Sequence, residues 1–317
     1  MQKLSDILTG VETVAMSGHI RPDGDAIGST LAVYNYIKDN YPQIKADVYF
    51  DPIQDIYEFL KGSDEIINDR PDDKIYDLFI ALDCADLARL GDSAKLFKNA
   101  KKTACIDHHM SNSEGFADEN YIVPDESSAS QLVYELLDED KITKEIAECL
   151  YTGMVTDSGI FQYSSTSSRT MNIAGKLMDT GIDFNWIVDQ VWNLKTYEQN
   201  RVLGKCLRDS KLYSDGRVCI SYITLEEMAE YGVTEQDFEG ISSQLRNTKG
   251  VQIAVFLNGL EEGGYKASLR SNGANVAEVA KCYGGGGHVR AAGATIKEGT
   301  IVEIIESLVV NSEKVLL

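Results

Sequence analysis

Four short apolar runs constrain this fold more than any other feature of the chain. TVAMSGH (13–19), ADVYF (46–50), DLFIALDC (77–84) and TACIDHH (103–109) read as buried strands. They are apolar along their length rather than at alternate positions, so each needs cover on both faces. The segment AIGSTLAVYNYIKDN (26–40) carries helical spacing, and helical or loop material separates the later strands. Strands alternating with helices imply an α/β domain built on a parallel sheet. Such sheets bind ligands outside the carboxyl ends of their strands. Three of the four runs carry Asp or His at that end.

Beyond Ser127 the pattern turns helical: SSASQLVYELLDED, TKEIAECLYTGMVTDSG, SSRTMNIAGKLMDTG and DFNWIVDQVWN all place apolar residues at helix spacing. A polar helical stretch, 195–211, holds few large apolar residues and reads as a linker. Alternation then resumes, with RVCISYI, VQIAVFLNG and YKASLRSN as strands and TEQDFEGISSQLRN, NVAEVAKCYG and the terminal IVEIIESLVVNSEKVLL as helices. The expected organisation is a first domain over 1–194, a helical linker over 195–211 and a second, smaller α/β domain over 212–317.

Charge bounds the partners. A net charge of −20 with no basic run excludes tight binding along a long duplex, which requires Lys and Arg against successive phosphates. A small anion remains compatible if bound cations concentrate positive charge locally. Six scattered cysteines without a C-x-x-C pair fit a reducing cytosol, so a cytoplasmic location is expected. The amino terminus lacks the pattern of a signal peptide, and no apolar run approaches the roughly 18 residues of a membrane span.

The strand ends carry the chemistry. The first runs into HIRPDGDAIGS, with His19, Asp23 and Asp25. Pro and Gly suit a turn here, and Asp25 suits a helix N-cap, which leaves Asp23 and His19 unexplained. The third run ends in Asp83 and the fourth in Asp107, His108 and His109, two adjacent imidazoles in a chain with four histidines. Asp157 lies in the otherwise apolar helix YTGMVTDSGIF. Carboxylates mixed with imidazoles, without thiolate, suit Mn²⁺, Fe²⁺ or Co²⁺ rather than a structural zinc. Two such ions, about 3.5–4 Å apart and bridged by one carboxylate, clamp the oxygens of a phosphoryl displacement and activate water between them. Cys84 and Cys105, beside these positions, read as small packing residues.

GHIRPDGDAIGS, ALDC, IDHH and VTDSG resemble, in order and spacing, the four motifs of the DHH phosphoesterase superfamily, over roughly the first 190 residues. The resemblance implies a dinuclear site, most readily of Mn²⁺, with Mg²⁺, Fe²⁺ and Co²⁺ as alternatives. It implies His19 and Asp23 on one ion, Asp25, His108 and Asp157 on the other, and Asp83 bridging. It implies His109 donating to the phosphate or leaving oxygen, and Asp107 orienting the histidines by hydrogen bonding.

In the second domain, four consecutive glycines, Gly284, Gly285, Gly286 and Gly287, precede the last histidine, His288, and the apolar AAGATI. Glycine backbone of this kind can cradle phosphate with its N–H groups. GGGGH with AAG, and SLRS with Arg270 and Ser271, resemble the DHH-associated C-terminal domain that binds substrate in this superfamily. That resemblance implies phosphate or base recognition by Arg270, Ser271 and His288, with the glycines beside the nucleotide. Arg246, on a helix of the same domain, is a further candidate for the substrate cleft. A compact chain with both parts is similar to the short-oligonucleotide hydrolases of the superfamily, several of which also remove the 3′-phosphate of 3′-phosphoadenosine 5′-phosphate. The expected partners are short oligonucleotides or small nucleotides, with no long duplex and no membrane. Two alternatives stand beside this one, a phosphodiesterase for cyclic di-AMP or linear pApA and a non-catalytic nucleotide sensor. Family members are often homodimers, and the sequence carries no interface signature.

Overall fold

Parallel pairing of short strands, each reached through helical or loop crossovers, organises the first part of the chain. The computed structural model describes residues 3–124 and 126–317. Its first unit, to Leu194, runs α1 (Leu4–Leu8), β1 (Thr13–Ser17), α2 (Gly24–Asn40), β2 (Lys45–Val48), β3 (Leu78–Leu82), α3 (Ala94–Asn99), β4 (Thr103–Asp107), β5 (Glu119–Ile122), α4 (Ala129–Leu136), α5 (Lys144–Asp157), α6 (Ser168–Asp179) and α7 (Phe184–Val188). The sheet is parallel throughout, in the order β2-β1-β3-β4-β5. From β1 the chain moves outward to β2, then returns across β1 to β3. The loops after β1 and β3 therefore diverge at the switch point, where open α/β sheets bind ligands.

Alternation along each strand feeds two cores. Val14, Met16, Leu78, Ile80, Leu82, Ala104 and Ile106 face the larger one, with α2, α4 and α5. Ala15, Phe79, Ala81 and Cys105 face a smaller one that also holds Cys84, Leu96 and Phe97. Both cysteines thus pack among apolar side chains, and burial pushes the Cys84 thiol up to about 12, far from thiolate character. Helix α2 is buried from Gly24 to Ile37. It lies so close to α5 that a Cβ on Gly28 would meet the Cys149 carbonyl at 2.4 Å. That approach brings the first turn of α2 against the last turns of α5, hence Asp25 towards Asp157.

The second unit, from Lys195, comprises α8 (Tyr197–Arg208), β6 (Lys211–Tyr213), β7 (Val218–Ile223), α9 (Leu225–Tyr231), α10 (Ile241–Arg246), β8 (Ile253–Gly259), β9 (Tyr265–Ser271), α11 (Val276–Lys281), β10 (Gly286–His288), β11 (Ala291–Ile296) and α12 (Ile301–Glu313). Its mixed sheet has the order β10-β11-β9-β8-β7-β6, parallel only between β7 and β8. Val255, Leu257, Ala267 and Leu269 pack with Ile304 and Leu308 of α12 on one face. Ala254 and Phe256 pack with Val202, Cys206, Ile241 and Leu245 on the other.

Two local readings change, and one strand goes unread. The polar stretch 195–211 is not a free connector over its helical part: Val202 and Cys206, one turn apart on α8, are buried in the second core. The buried Lys205 ammonium between them donates to the Tyr222 carbonyl at 2.9 Å and to Glu227 at 2.8 Å. Two apolar residues at the right spacing suffice to dock a helix that looks polar. The stretch TEQDFEGISSQLRN is broken at Gly240, whose φ of 87° begins α10 anew. The short half-exposed strand β5 offers no continuous apolar run to read. Among the described residues no helix is long and apolar enough to cross a membrane.

Candidate metal centre and substrate face

Asp83 follows β3 at the switch point, is buried to 2 % exposure, and turns its two oxygens to different imidazoles. Oδ2 lies 3.4 Å from His19 Nε2, and Oδ1 lies 3.4 Å from His108 Nε2. Oδ1 has no hydrogen-bond donor among the described residues. His19, just past β1, is also 3.5 Å from Asp23 Oδ2, while its Nδ1 donates to the Ile20 carbonyl at 2.9 Å. His108, just past β4, is also 3.3 Å from Asp157 Oδ2 and 3.9 Å from Asp25 Oδ2. Its Nδ1 donates to the Glu126 carbonyl at 2.9 Å. In both histidines a main-chain acceptor holds Nδ1–H, so Nε2 is left as the donor atom facing the carboxylates.

The PDGD turn exchanges the two roles read from sequence. Asp23, not Asp25, caps α2, accepting from the amides of Asp25 and Ala26 at 3.1 Å each. Asp25 is fully buried in the first turn of α2 and points instead to the start of α4, where Ala129 N donates to Oδ2 at 2.6 Å and Ser130 N to Oδ1 at 2.9 Å. A carboxylate at a helix N-terminus gains from the exposed amides and the helix dipole. Asp107, expected to orient both histidines, holds one: Oδ1 accepts from His109 Nδ1 at 2.7 Å, and Oδ2 accepts from Asn112 at 2.8 Å. His108 depends on Glu126 instead.

The charges of this cluster are frustrated without cations. Burial would depress the His19 imidazole, but hydrogen bonds and charge from Asp23 and Asp83 raise it to about 10. Burial opposes His108 likewise, and Asp83, Asp25 and Asp157 raise it to about 11. Burial works against the Asp83 carboxylate, yet His108 and His19 hold it well below the usual range. Asp157 goes the other way, pushed up to about 7 by burial, with His108 opposing and Asp83 reinforcing the rise. Asp25 is raised by burial and by its carboxylate neighbours. Imidazoles protonated so far above neutrality mark a pocket short of positive charge. His19, Asp23 and Asp83 bring ligand atoms within 4.8 Å of one another, as do Asp25, His108 and Asp157 and also Asp83, His108 and His109. Oxygen and imidazole donors in two groups, beside one carboxylate that faces both, fit a pair of divalent cations.

The second unit places its residues differently. The glycine run follows α11 rather than leading into a helix. Gly284, at φ 70°, closes the turn after α11, its amide donating to the Lys281 carbonyl at 3.1 Å. Gly286 to His288 form the edge strand β10, paired with β11 through Gly286–Gly293 and His288–Ala291. Glycine is needed at 287 because φ is 142° and a Cβ there would meet the Ala291 carbonyl at 2.5 Å. Arg270 pairs with Ala291 on the other side. Directly opposed residues of antiparallel strands share a face. Arg270 and His288 therefore flank Ala291 on one surface, two strand spacings or about 10 Å apart. Gly286 and Gly293 add no side chain to that surface. The Ser271 hydroxyl is buried and donates to the Ala274 carbonyl at 2.6 Å. Arg246 ends α10 with its Nε buried and without a partner among the described residues, and its carbonyl accepts from Asn272.

Sequence reasoning misses Asn112, the Glu126 carbonyl and the amides of Ala129 and Ser130. Ser128, which accepts from Gln131 N as the cap of α4, signals where that helix begins but not what its amides would hold.

Comparison with known proteins agrees with this architecture. Residues 13–154 match the DHH family, N-terminal domain, and residues 215–310 match the DHHA1 domain. The chain belongs to the DHH family. It is 30% identical over 306 residues, 94% of this chain and 88% of the other, to the bifunctional oligoribonuclease and PAP phosphatase NrnA of Thermus thermophilus. It is 27% identical over 290 residues, 90% of each chain, to the protein of the same name from Bacillus subtilis. Among solved structures, an exopolyphosphatase-related protein of Bacteroides fragilis superposes with a TM-score of 0.87 at 29% identity, covering 98% of this chain and 94% of that one.

Proposed function

We propose that this protein is a metal-dependent phosphoesterase that hydrolyses short RNA oligonucleotides to 5′-mononucleotides and also removes the 3′-phosphate of 3′-phosphoadenosine 5′-phosphate. The observation that carries the reading is Asp83, buried and facing His19 with one oxygen and His108 with the other. His19, Asp23 and Asp83 would hold one ion, and Asp25, His108 and Asp157 would hold the second, with Asp83 placed to serve both. Mn²⁺ is the ion proposed, because the donors are oxygen and imidazole without thiolate. Two divalent cations, when bound, offset the phosphate charge and lower the pKa of water for in-line displacement. The Asp107 hydrogen bond raises the His109 imidazole and favours its protonated form, and His109 is the group proposed to donate a proton to the leaving oxygen. Arg270 and His288 bind a terminal phosphate or base of the substrate, the glycine run 284–287 shapes the turn and edge strand beside it, with Gly286 leaving that face open, and Ser271 acts through the turn it anchors. The names of the relatives support this substrate class. The net charge of −20 favours short substrates, since little positive surface remains to hold a long tail. The six free cysteines suit a cytoplasmic location.

The test is a product assay with Mn²⁺ and 5′-labelled RNA of two to ten nucleotides, pApA, cyclic di-AMP and 3′-phosphoadenosine 5′-phosphate. Fast cleavage of the shortest RNAs with slow cleavage of the longest is expected. Preference for cyclic di-AMP would move the function to signalling-nucleotide turnover. Two bound ions without turnover of any substrate would leave a sensor.

A further inference from the structure

Two of the ligands proposed for the second ion are held by one short segment, and side chains that touch neither ligand clamp that segment. Residues 126–130 supply the Glu126 carbonyl to His108 and the Ala129 and Ser130 amides to Asp25. The Glu126 carboxylate accepts from Gln131 Nε2 at 2.6 Å and from Arg169 Nη1 at 3.2 Å. Gln131 is fully buried, and its Oε1 accepts from Ser127 at 2.7 Å and from Thr170 on α6 at 2.8 Å. Its main-chain amide donates to the Ser128 hydroxyl at 3.0 Å. One glutamine thus ties residues 126, 127 and 128 to each other and to α6, while Arg169 extends the tie through Glu135 at 2.6 Å. Breaking a buried amide's bonds leaves its partners unsatisfied, so this segment has one favourable arrangement. The other ion has no comparable clamp among the described residues: the acceptor for His19 is the carbonyl of the next residue, Ile20.

We propose that Glu126 and Gln131 are positioning residues for the second ion, fixing the carbonyl that orients His108 and the helix end that holds Asp25. The inference rests on the dinuclear reading above. Residues that orient metal ligands typically change affinity by about 10–100-fold when removed. The experiment is a Mn²⁺ titration of the full chain by calorimetry, with low-temperature EPR to detect a spin-coupled pair. Wild type, Glu126→Ala, Glu126→Gln and Gln131→Ala are compared, and thermal melts report folding. In Glu126→Ala, one ion is expected to bind about tenfold or more weakly while the other is unchanged, with the coupled signal delayed to higher metal. Glu126→Gln, which still accepts from Gln131, should restore most of the loss. At saturating Mn²⁺, KM for substrate should stay near wild type in both. Unchanged binding of both ions in Glu126→Ala, or equal weakening of both, overturns the inference while the dinuclear reading stands. A wild-type protein that binds a single ion overturns both.

Discussion

The candidate metal centre and the proposed substrate face are built on opposite principles. At the centre, candidate donors from separate segments, spread from His19 to Asp157, converge in a mostly buried cluster where main-chain and side-chain partners fix the imidazoles. On the face, Arg270 and His288 come from two strands of one sheet, and the residues between them are small or exposed. The first arrangement fixes atoms against mutual repulsion and needs the whole unit folded. The second presents Arg270 and His288 on an open sheet face. Loss of a donor should therefore remove chemistry, whereas loss of a side chain on the face should remove affinity.

The largest effect that tests this contrast is Asp83→Ala. It should lower kcat by at least about 10³-fold and weaken both ions, measured by turnover and metal content. Near-normal activity would end the bridging assignment. Next comes pH. His19 and His108 rise from 6.5 to about 10 and about 11, so in metal-free protein their pairing stabilises fully below pH 6.5 and is lost as pH climbs through those values. Cation binding has the opposite sign, because each imidazole must release its proton. Apparent Mn²⁺ affinity should rise about tenfold per pH unit for each proton displaced between about pH 7 and 9, and the Tm gain from Mn²⁺ should grow in parallel. A pH-independent gain would contradict the ligand set. On the face, Arg270→Ala or His288→Ala should raise KM by about tenfold and leave metal content alone, as expected for one lost charge-assisted contact. Loss of metal in either variant would erase the distinction between the regions. The smallest change is expected from Gly287→Ala, which should displace the β10 edge and raise KM a few-fold while Tm moves little, since the strand is exposed.

Much of the candidate centre is legible in the sequence because the residues that come together are side chains, most of them at strand ends. Apolar runs locate the sheet, and IDHH and the Asp after DLFIAL fall where such sheets bind ligands. What escapes are contacts made by the main chain. A carbonyl such as that of Glu126, or the amides that hold Asp25, carries no residue identity to recognise. The exchange between Asp23 and Asp25 has a similar cause: the sequence suggests a cap at Asp25, but the amides of Ala129 and Ser130 hold Asp25 inward and Asp23 takes the cap. The glycine run is conspicuous, but a phosphate cradle and a tight edge hairpin both require glycine. Register, which no single residue encodes, separates them. Helix α8 looks polar because docking it takes only Val202 and Cys206.

Asp83 adopts a left-handed backbone, with φ at 50°. Few residue types tolerate that conformation, chiefly Gly, Asn and Asp. Of these, Asp alone carries a charge. Backbone shape and the proposed ligand chemistry, two unrelated demands, thus favour the same residue. The position has no neutral neighbour in mutational space: Asn would keep the turn and lose the charge, Glu would keep the charge and strain the turn. The pair of variants, Asp83→Asn and Asp83→Glu, would separate what the shape contributes from what the charge does.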